Sequence, residues 1–325
     1  MEDIEGTEAR GRRKGDGGIH KVQGARGQGG VSMSFGSPYF TLPKFEYVKP
    51  KTLDEALAFL ARNGEETKVM AGGVGLLAFM KERLVDCRYV MDIKGIPELH
   101  ELKYEEGEGL SIGAAVTLAE LLGYAVLKSK YRALHDAVKN LSDPNLRNRS
   151  TLMGDLCEAI PWIDSPAPLM LFDAEVVARS ARGERKIRIH DFIKGAAENA
   201  LRQDELAVRI FVPEPPPGAV SRYVKFAKGT EFSIASVGAL VANKDDPSRR
   251  VVRLTYGAVN VVPVEAFEAE KVFRREGPIE KLVEEALAVV DGTVEAVTDV
   301  LGTADYRKHL IRVQTAALLK ELLEA

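Results

Sequence analysis

Cysteine is nearly absent from this chain, which has only Cys87 and Cys157, far apart in sequence. Two thiols build no disulfide framework and are too few for a four-cysteine iron–sulfur cluster or a structural zinc. They read as small buried residues of a reducing cytosol, so the expected location is cytoplasmic. An excess of positive charge is also missing. The 45 Lys and Arg are offset by 48 Asp and Glu mixed along the chain, which leaves no basic face for nucleic acid. No apolar run approaches the ~20 residues of a membrane span, so a water-soluble chain is expected. What is present is length. The 325 residues, 45% of them hydrophobic, suffice for two cores at about 100–200 residues per domain.

Residues 1–37 stand apart. Glycine recurs there among mixed charges while apolar residues are sparse and aperiodic, a composition that cannot bury enough surface to order itself. A disordered leader is expected. Arg12-Arg13-Lys14 begins like a twin-arginine export signal, but Gly-Asp-Gly-Gly follows where an apolar stretch should stand. Met33 lies just before the first globular sequence, so the leader is either a start-site artefact or a flexible arm.

The first informative stretch runs Thr67-Lys68-Val69-Met70-Ala71-Gly72-Gly73-Val74-Gly75-Leu76-Leu77. A β-branched run enters a glycine-rich loop and leaves it into an apolar segment. Glycines let successive amides point inward at pyrophosphate oxygens, and a helix beginning at Leu76 adds its partial positive end. Around this loop, residues 45–48 read as a strand, and Thr52 and Glu55 have capping-box spacing at the start of a helix that Asn63-Gly64 ends. Residues 68–70 and 89–93 are further strands. Gly73-Val74-Gly75-Leu76-Leu77-Ala78 satisfies G-x-G-x-x-A, and Asp92 follows about twenty residues later, as in a doubly wound dinucleotide fold. The continuation opposes that fold. Residues 99–104 and 110–113 read as two strands around a tight turn instead of a crossover helix, so the sheet is expected to be mixed.

Residues 117–127 and 131–141 read as helices, the second placing Leu134, Ala137, Val138 and Leu141 on one face. His135 is assigned a surface or capping role there. The second informative stretch spans residues 145–169, rich in small and polar residues where an interior segment is expected. Residues 175–179 and 186–189 form a hairpin, and 206–212 a closing strand. Pro213-Glu214-Pro215-Pro216-Pro217-Gly218 then removes donors and stiffens the chain, as at a domain boundary. Beyond it, residues 222–228, 234–242 and 251–259 read as antiparallel strands, with helices 279–290 and 305–323 covering one face. The expected chain is α+β: leader 1–37, first domain 38–213, linker 214–221 and a second domain 222–325.

Several signatures recur in a fixed order. They are the Ala-Gly-Gly loop, Val-Met-Asp-Ile-x-x-Ile-Pro-Glu-Leu from Val90, Ile-Gly-Ala-x-Val-Thr from Ile112, Arg-Asn-x-x-Thr, Asp-x-Pro-x-x-Leu from Asp164, and Gly302-Thr303-Ala304-Asp305-Tyr306-Arg307. This order resembles the FAD-binding subunits of the molybdenum hydroxylases, the group that includes carbon monoxide dehydrogenase, xanthine dehydrogenase and aldehyde oxidoreductases. The resemblance implies a two-subdomain FAD-binding domain of PCMH/VAO type with mixed sheets, followed by a small antiparallel sheet with helices. It also implies that Val69, Met70, Ala71, Gly72, Gly73, Val74, Gly75 and Leu76 wrap the FAD pyrophosphate with backbone amides. Thr151, Leu152, Gly154 and Asp155 face it as a second loop. Gly113, Ala114 and Thr117 lie close to the cofactor, with Ile210 on the closing strand; Asp164 bonds the adenosine part, and Ile93 and Ile96 neighbour the adenine. Lys225 approaches the flavin ring, where an ammonium stabilises the charge of reduced flavin.

The chain departs from this pattern in places. Val74 and Gly75 stand where the family carries Ser, Thr or Asp, and Thr151-Leu152-Met153-Gly154-Asp155 replaces Thr-Ile-Gly-Gly-Asn. Met153 requires negative φ or a strained loop. Asp155 sets a carboxylate near the pyrophosphate unless a cation such as Arg147 compensates. Ser233 replaces an aspartate. The implied function is an electron-transfer oxidoreductase subunit in a hetero-oligomer: a molybdopterin subunit oxidises the substrate, a 2Fe–2S subunit relays electrons, and FAD converts single-electron arrivals into two-electron departures to an external acceptor. The alternatives are an assembly subunit with weakened FAD binding and a self-contained NAD(P)- or FAD-dependent oxidoreductase.

Overall fold

Local signals set the first elements of the computed structural model, which describes residues 41–229 and 232–324; the expected leader over 1–37 lies outside the described residues. Strand β1 is Glu46–Val48 and helix α1 is Leu53–Asn63. Thr52 accepts the Glu55 amide as the spacing predicts, but Glu55 returns its bond to the Lys51 amide, not to Thr52. Strand β2 (Thr67–Met70) leads through the glycines into α2 (Val74–Lys81), and β3 (Tyr89–Asp92) follows. β1 and β2 flank β3, all parallel, because helical connections return each strand in the same direction.

The chain then changes sheet. β4 (Leu102–Glu105) and β5 (Gly109–Gly113) form the expected hairpin, as do β6 (Glu175–Ser180) and β7 (Gly183–Arg188). After the small ribbon of β8 (Ile193–Gly195) and β9 (Glu198–Asn199), β10 (Leu206–Pro213) inserts between the hairpins. The resulting five-stranded sheet, ordered β4-β5-β10-β6-β7, is antiparallel throughout. Parallel and antiparallel pairing are thus both present, as expected, but divided between two sheets. The register of β10 slips between Ala207 and Arg209, a bulge that turns the Val208 carbonyl to the Ala114 amide at 3.0 Å.

Helices pack over these sheets. The helix expected over 117–127 breaks into α3 (Leu118–Gly123) and α4 (Ala125–Lys130), because Tyr124 takes a non-helical backbone and its hydroxyl accepts the Tyr104 amide of β4 at 3.2 Å. α5 (Arg132–Asn140), α6 (Pro144–Arg147), α7 (Leu152–Glu158), α8 (Pro166–Met170) and α9 (Ile189–Phe192) follow in chain order.

Past the proline run, β11 (Val220–Phe226), β12 (Ala235–Ala242), β13 (Val251–Gly257) and β14 (Val264–Glu265) pair antiparallel in chain order. α10 (Phe267–Val272), α11 (Ile279–Thr293) and α12 (Ala304–Glu324) complete the chain. Every residue of β12 is buried, which a sheet covered on one face does not explain. Ala235, Val237, Ala239 and Val241 face the helical core. On the opposite face Gly238 comes so close to Leu171 that an added Cβ would lie 2.9 Å from its Cδ1. The sheet is therefore buried on both sides, by its own helices and by the first part of the chain, and the described residues form one compact unit. Arg307 anchors α12 from inside: 1% exposed, it donates to the Ile234 and Ala258 carbonyls and pairs with Asp299.

Candidate flavin site

The glycine loop is shorter than the sequence suggests. Gly73 caps α2 with φ of 78°, the left-handed region that favours glycine, and the helix begins at Val74 and not at Leu76. Its first backbone bond runs from the Leu77 amide to the Gly73 carbonyl, so the amides of Val74, Gly75 and Leu76 open the helix without intrahelical acceptors. A Cβ at Gly72 would fall 2.0 Å from the Arg149 carbonyl oxygen. Only glycine lets the two backbones touch there, and the contact brings the loop against the entrance to the second stretch.

That second stretch is not a loop. Thr151 accepts the Gly154 amide at 2.9 Å and caps α7, whose first turn is Leu152-Met153-Gly154-Asp155. Met153 is helical and needs no strained backbone; the positive φ falls on Ala159, where α7 ends. The Asp155 amide bonds the Thr151 carbonyl, which leaves the Leu152 and Met153 amides without intrahelical acceptors. The approaches to two helix starts therefore meet at Gly72, and each start carries partial positive charge.

Neighbouring residues shape the floor. Lys94 Nζ lies 2.8 Å from Asp92 and donates to the Ala71 carbonyl at 3.1 Å; its place two residues after Asp92 is the only trace of this in the sequence. Gly113 and Ala114 have their amides engaged by the Glu101 and Val208 carbonyls. A Cβ at Gly113 would fall 2.2 Å from the Leu99 carbonyl oxygen, so this glycine serves strand-to-turn packing. Thr117 pairs with Thr151 in an isolated bridge, while its hydroxyl donates to Glu120 in a capping box. Ile210 is fully buried and paired with Ile112 and Val176. Ile93 and Ile96 are likewise core residues.

Asp164 and Lys225, given separate places on the cofactor by resemblance, are brought together. Lys225 Nζ lies 2.6 Å from Asp164 Oδ2, with both side chains buried. Asp164 Oδ1 accepts from Tyr223 at 2.8 Å and from Ser233 at 2.5 Å. One carboxylate in the first half is thus held by three side chains of the second, and Ser233, where relatives carry aspartate, is a donor in this set. Burial, and then the Asp164 charge, push the Tyr223 hydroxyl well above its ordinary pKa.

Two carboxyl groups of α7, Asp155 and Glu158, are raised by burial. Arg147 donates to the carbonyls of Lys139, Leu141 and Ser142, where it holds the end of α5 and does not neutralise Asp155. Asp155 instead accepts the Ser165 amide at 3.3 Å, and burial raises its pKa to about 6. Glu158, which no sequence motif singled out, lies against Gly75 and is raised to about 8 by burial and then by Asp155. The buried Ser150 and Ser165 hydroxyls and the Trp162 indole N–H have no partner among the described residues. Helix-start amides without intrahelical acceptors, with orphaned buried donors beside them, fit a dinucleotide pyrophosphate and so fit FAD. Among the described residues no group of His, Cys, Asp and Glu could hold a metal.

Comparison with known proteins bears on this geometry. A family model described as FAD binding domain in molybdopterin dehydrogenase matches residues 43–215, and one described as CO dehydrogenase flavoprotein C-terminal domain matches residues 222–322. The glyceraldehyde dehydrogenase medium chain of Sulfolobus acidocaldarius is 31% identical over 86% of this chain and 99% of its own. The carbon monoxide dehydrogenase medium chain of Hydrogenophaga pseudoflava is 31% identical over 82% of this chain and 92% of its own. A solved structure of carbon monoxide dehydrogenase from Hydrogenophaga pseudoflava superposes with a TM-score of 0.82 at 28% identity, covering 87% of this chain and 99% of that one. With its sheets in this order and the approaches to two helix starts meeting at Gly72, the chain belongs to the family of FAD-binding subunits of the molybdopterin dehydrogenases.

Proposed function

We propose that this chain is the FAD-carrying electron-transfer subunit of a molybdopterin-dependent hydroxylase or dehydrogenase, working in the cytoplasm within a hetero-oligomer. A small 2Fe–2S subunit delivers electrons, a large molybdopterin subunit oxidises the substrate, and an external acceptor takes the electrons away. Bound FAD supplies the exchange between one- and two-electron chemistry. The chain's own residues position it. The amides of Val74, Gly75, Leu76, Leu152 and Met153 receive the pyrophosphate, Ser150 and Ser165 supply nearby hydroxyls, and the Asp164–Lys225 pair ties the second half of the chain to the site.

The observation that carries this reading is the contact of Gly72 with the Arg149–Ser150 backbone, which brings the approach to α2 against the approach to α7. The two free cysteines support a reducing compartment. The absorbance spectrum of the purified chain is the test, with flavin bands expected at roughly 370 and 450 nm. A colourless protein that takes up no added FAD refutes the reading, and reduction of bound flavin by NAD(P)H without partners favours a self-contained oxidoreductase.

A further inference from the structure

The start of α2 is overlaid by a carboxyl group that pyrophosphate binding does not require. Glu158, the last residue of α7, lays its side chain on Gly75: an added Cβ would fall 1.6 Å from Oε1 and 2.4 Å from Cδ. Glycine at position 75 is what makes room for it. The carboxyl therefore lies against the first turn of α2, where that helix is most positive and its amides lack intrahelical acceptors.

The charged group that acts on Glu158 is Asp155, on its own helix. Asp155 in turn feels Asp164 and Lys225, and Lys225 is already paired with Asp164. Of the charged residues on elements packed against α7, Arg209 of β10 pairs with Glu184 at 3.2 Å, and Glu198 of β9 is itself acidic. Lys81 closes α2, about 9 Å along the helix axis from Gly75.

We propose that Glu158 is a proton gate on the dinucleotide site: FAD enters with the Glu158 side chain neutral, and the ionised side chain excludes it. This rests on the FAD reading above. An ionised carboxylate on the first turn of α2 competes with the pyrophosphate for the same amides and repels its two negative charges at short range. A neutral carboxyl does neither and has an O–H to donate.

Burial and Asp155 raise Glu158 to about 8 in the free protein, so the gate stands open at neutral pH. Above that value each FAD bound must be accompanied by uptake of one proton, and affinity weakens towards tenfold per pH unit. Asp155, raised to about 6, is already largely ionised at pH 7. It contributes little to the slope above that pH.

Fluorescence titration of FAD into the full-length chain stripped of flavin, from about pH 7 to about pH 9.5, tests this directly. The wild-type Kd is expected to rise about thirtyfold across that range. In Glu158→Gln, with its fold checked by circular dichroism, the rise should be less than about threefold. A flat wild-type profile overturns the proposal, as does a Glu158→Gln profile as steep as wild type. Gly72→Val separates this failure from that of the FAD reading. If Gly72→Val binds FAD as wild type does, the site itself is misassigned; if it loses FAD while Glu158→Gln keeps the wild-type slope, only the gate is wrong.

Discussion

Gly72→Ala places one methyl group where the approach to α2 touches the approach to α7. Its Cβ would lie 2.0 Å from the Arg149 carbonyl oxygen, 2.7 Å from the carbonyl carbon and 3.0 Å from the Ser150 Cα. All three are backbone atoms, so no side chain can swing aside. Restoring ordinary contact at about 3.5 Å requires the two segments to part by roughly 1 Å or more. Overpacking of this kind costs about 1–3 kcal/mol, a fall in melting temperature of about 2–5 °C for a unit of this size. FAD should suffer more, because the helix starts on the two sides are displaced. A shift of about 1 Å in a preorganised site costs on the order of a hundredfold. Flavin-fluorescence titration and thermal unfolding measure the two effects separately. Gly292→Ala in α11, where none of the described residues lies within 4 Å of an added Cβ, is the control, and should stabilise by about 0.5–1 kcal/mol with FAD affinity unchanged. Wild-type FAD affinity in Gly72→Ala would refute the assignment of the two helix starts to one site.

Three further outcomes are expected. Lys225→Met leaves the buried Asp164 carboxylate with two hydroxyl donors and no cation; chemical denaturation should show a loss of about 3–5 kcal/mol, much of it recovered by adding Asp164→Asn. Arg307→Leu strips the Ile234 and Ala258 carbonyls and Asp299 of their shared donor, and a loss below about 1 kcal/mol in the same assay contradicts its role as the anchor of α12. Arg185, bonded through two nitrogens to Glu205, holds that carboxyl below its ordinary pKa. The stabilisation is therefore complete above the ordinary glutamate value of about 4.3 and is lost as pH falls through the depressed one. Glu205→Gln should accordingly be less stable than wild type at neutral pH and converge with it in strong acid; parallel stability curves across pH count against the pairing.

The sequence by itself determined what local signals can carry. Alternation and turn residues gave the two hairpins of the five-stranded sheet, Thr52 gave the cap of α1, and the glycines at 72 and 73 marked the approach to a helix start. The ordered signatures then identified the family. Tertiary structure decided what each residue touches, because hydrogen-bond partners far apart in sequence leave no trace in local pattern. It turned Thr151–Asp155 from a loop into a helix start, since a capping threonine and a glycine loop look alike until the next turn is seen. It gave Arg147 to the end of α5, engaged the Gly113 and Ala114 amides in packing, and joined Asp164 to Lys225 across the two halves. It also divided two glycines that sequence treats alike: a Cβ at Gly72 would press against backbone, whereas one at Gly154 would meet the Thr151 hydroxyl at 3.0 Å. Glu158 was invisible for the same reason. Its significance lies wholly in the glycine it rests on, eighty-odd residues earlier in the chain and in direct contact only after folding.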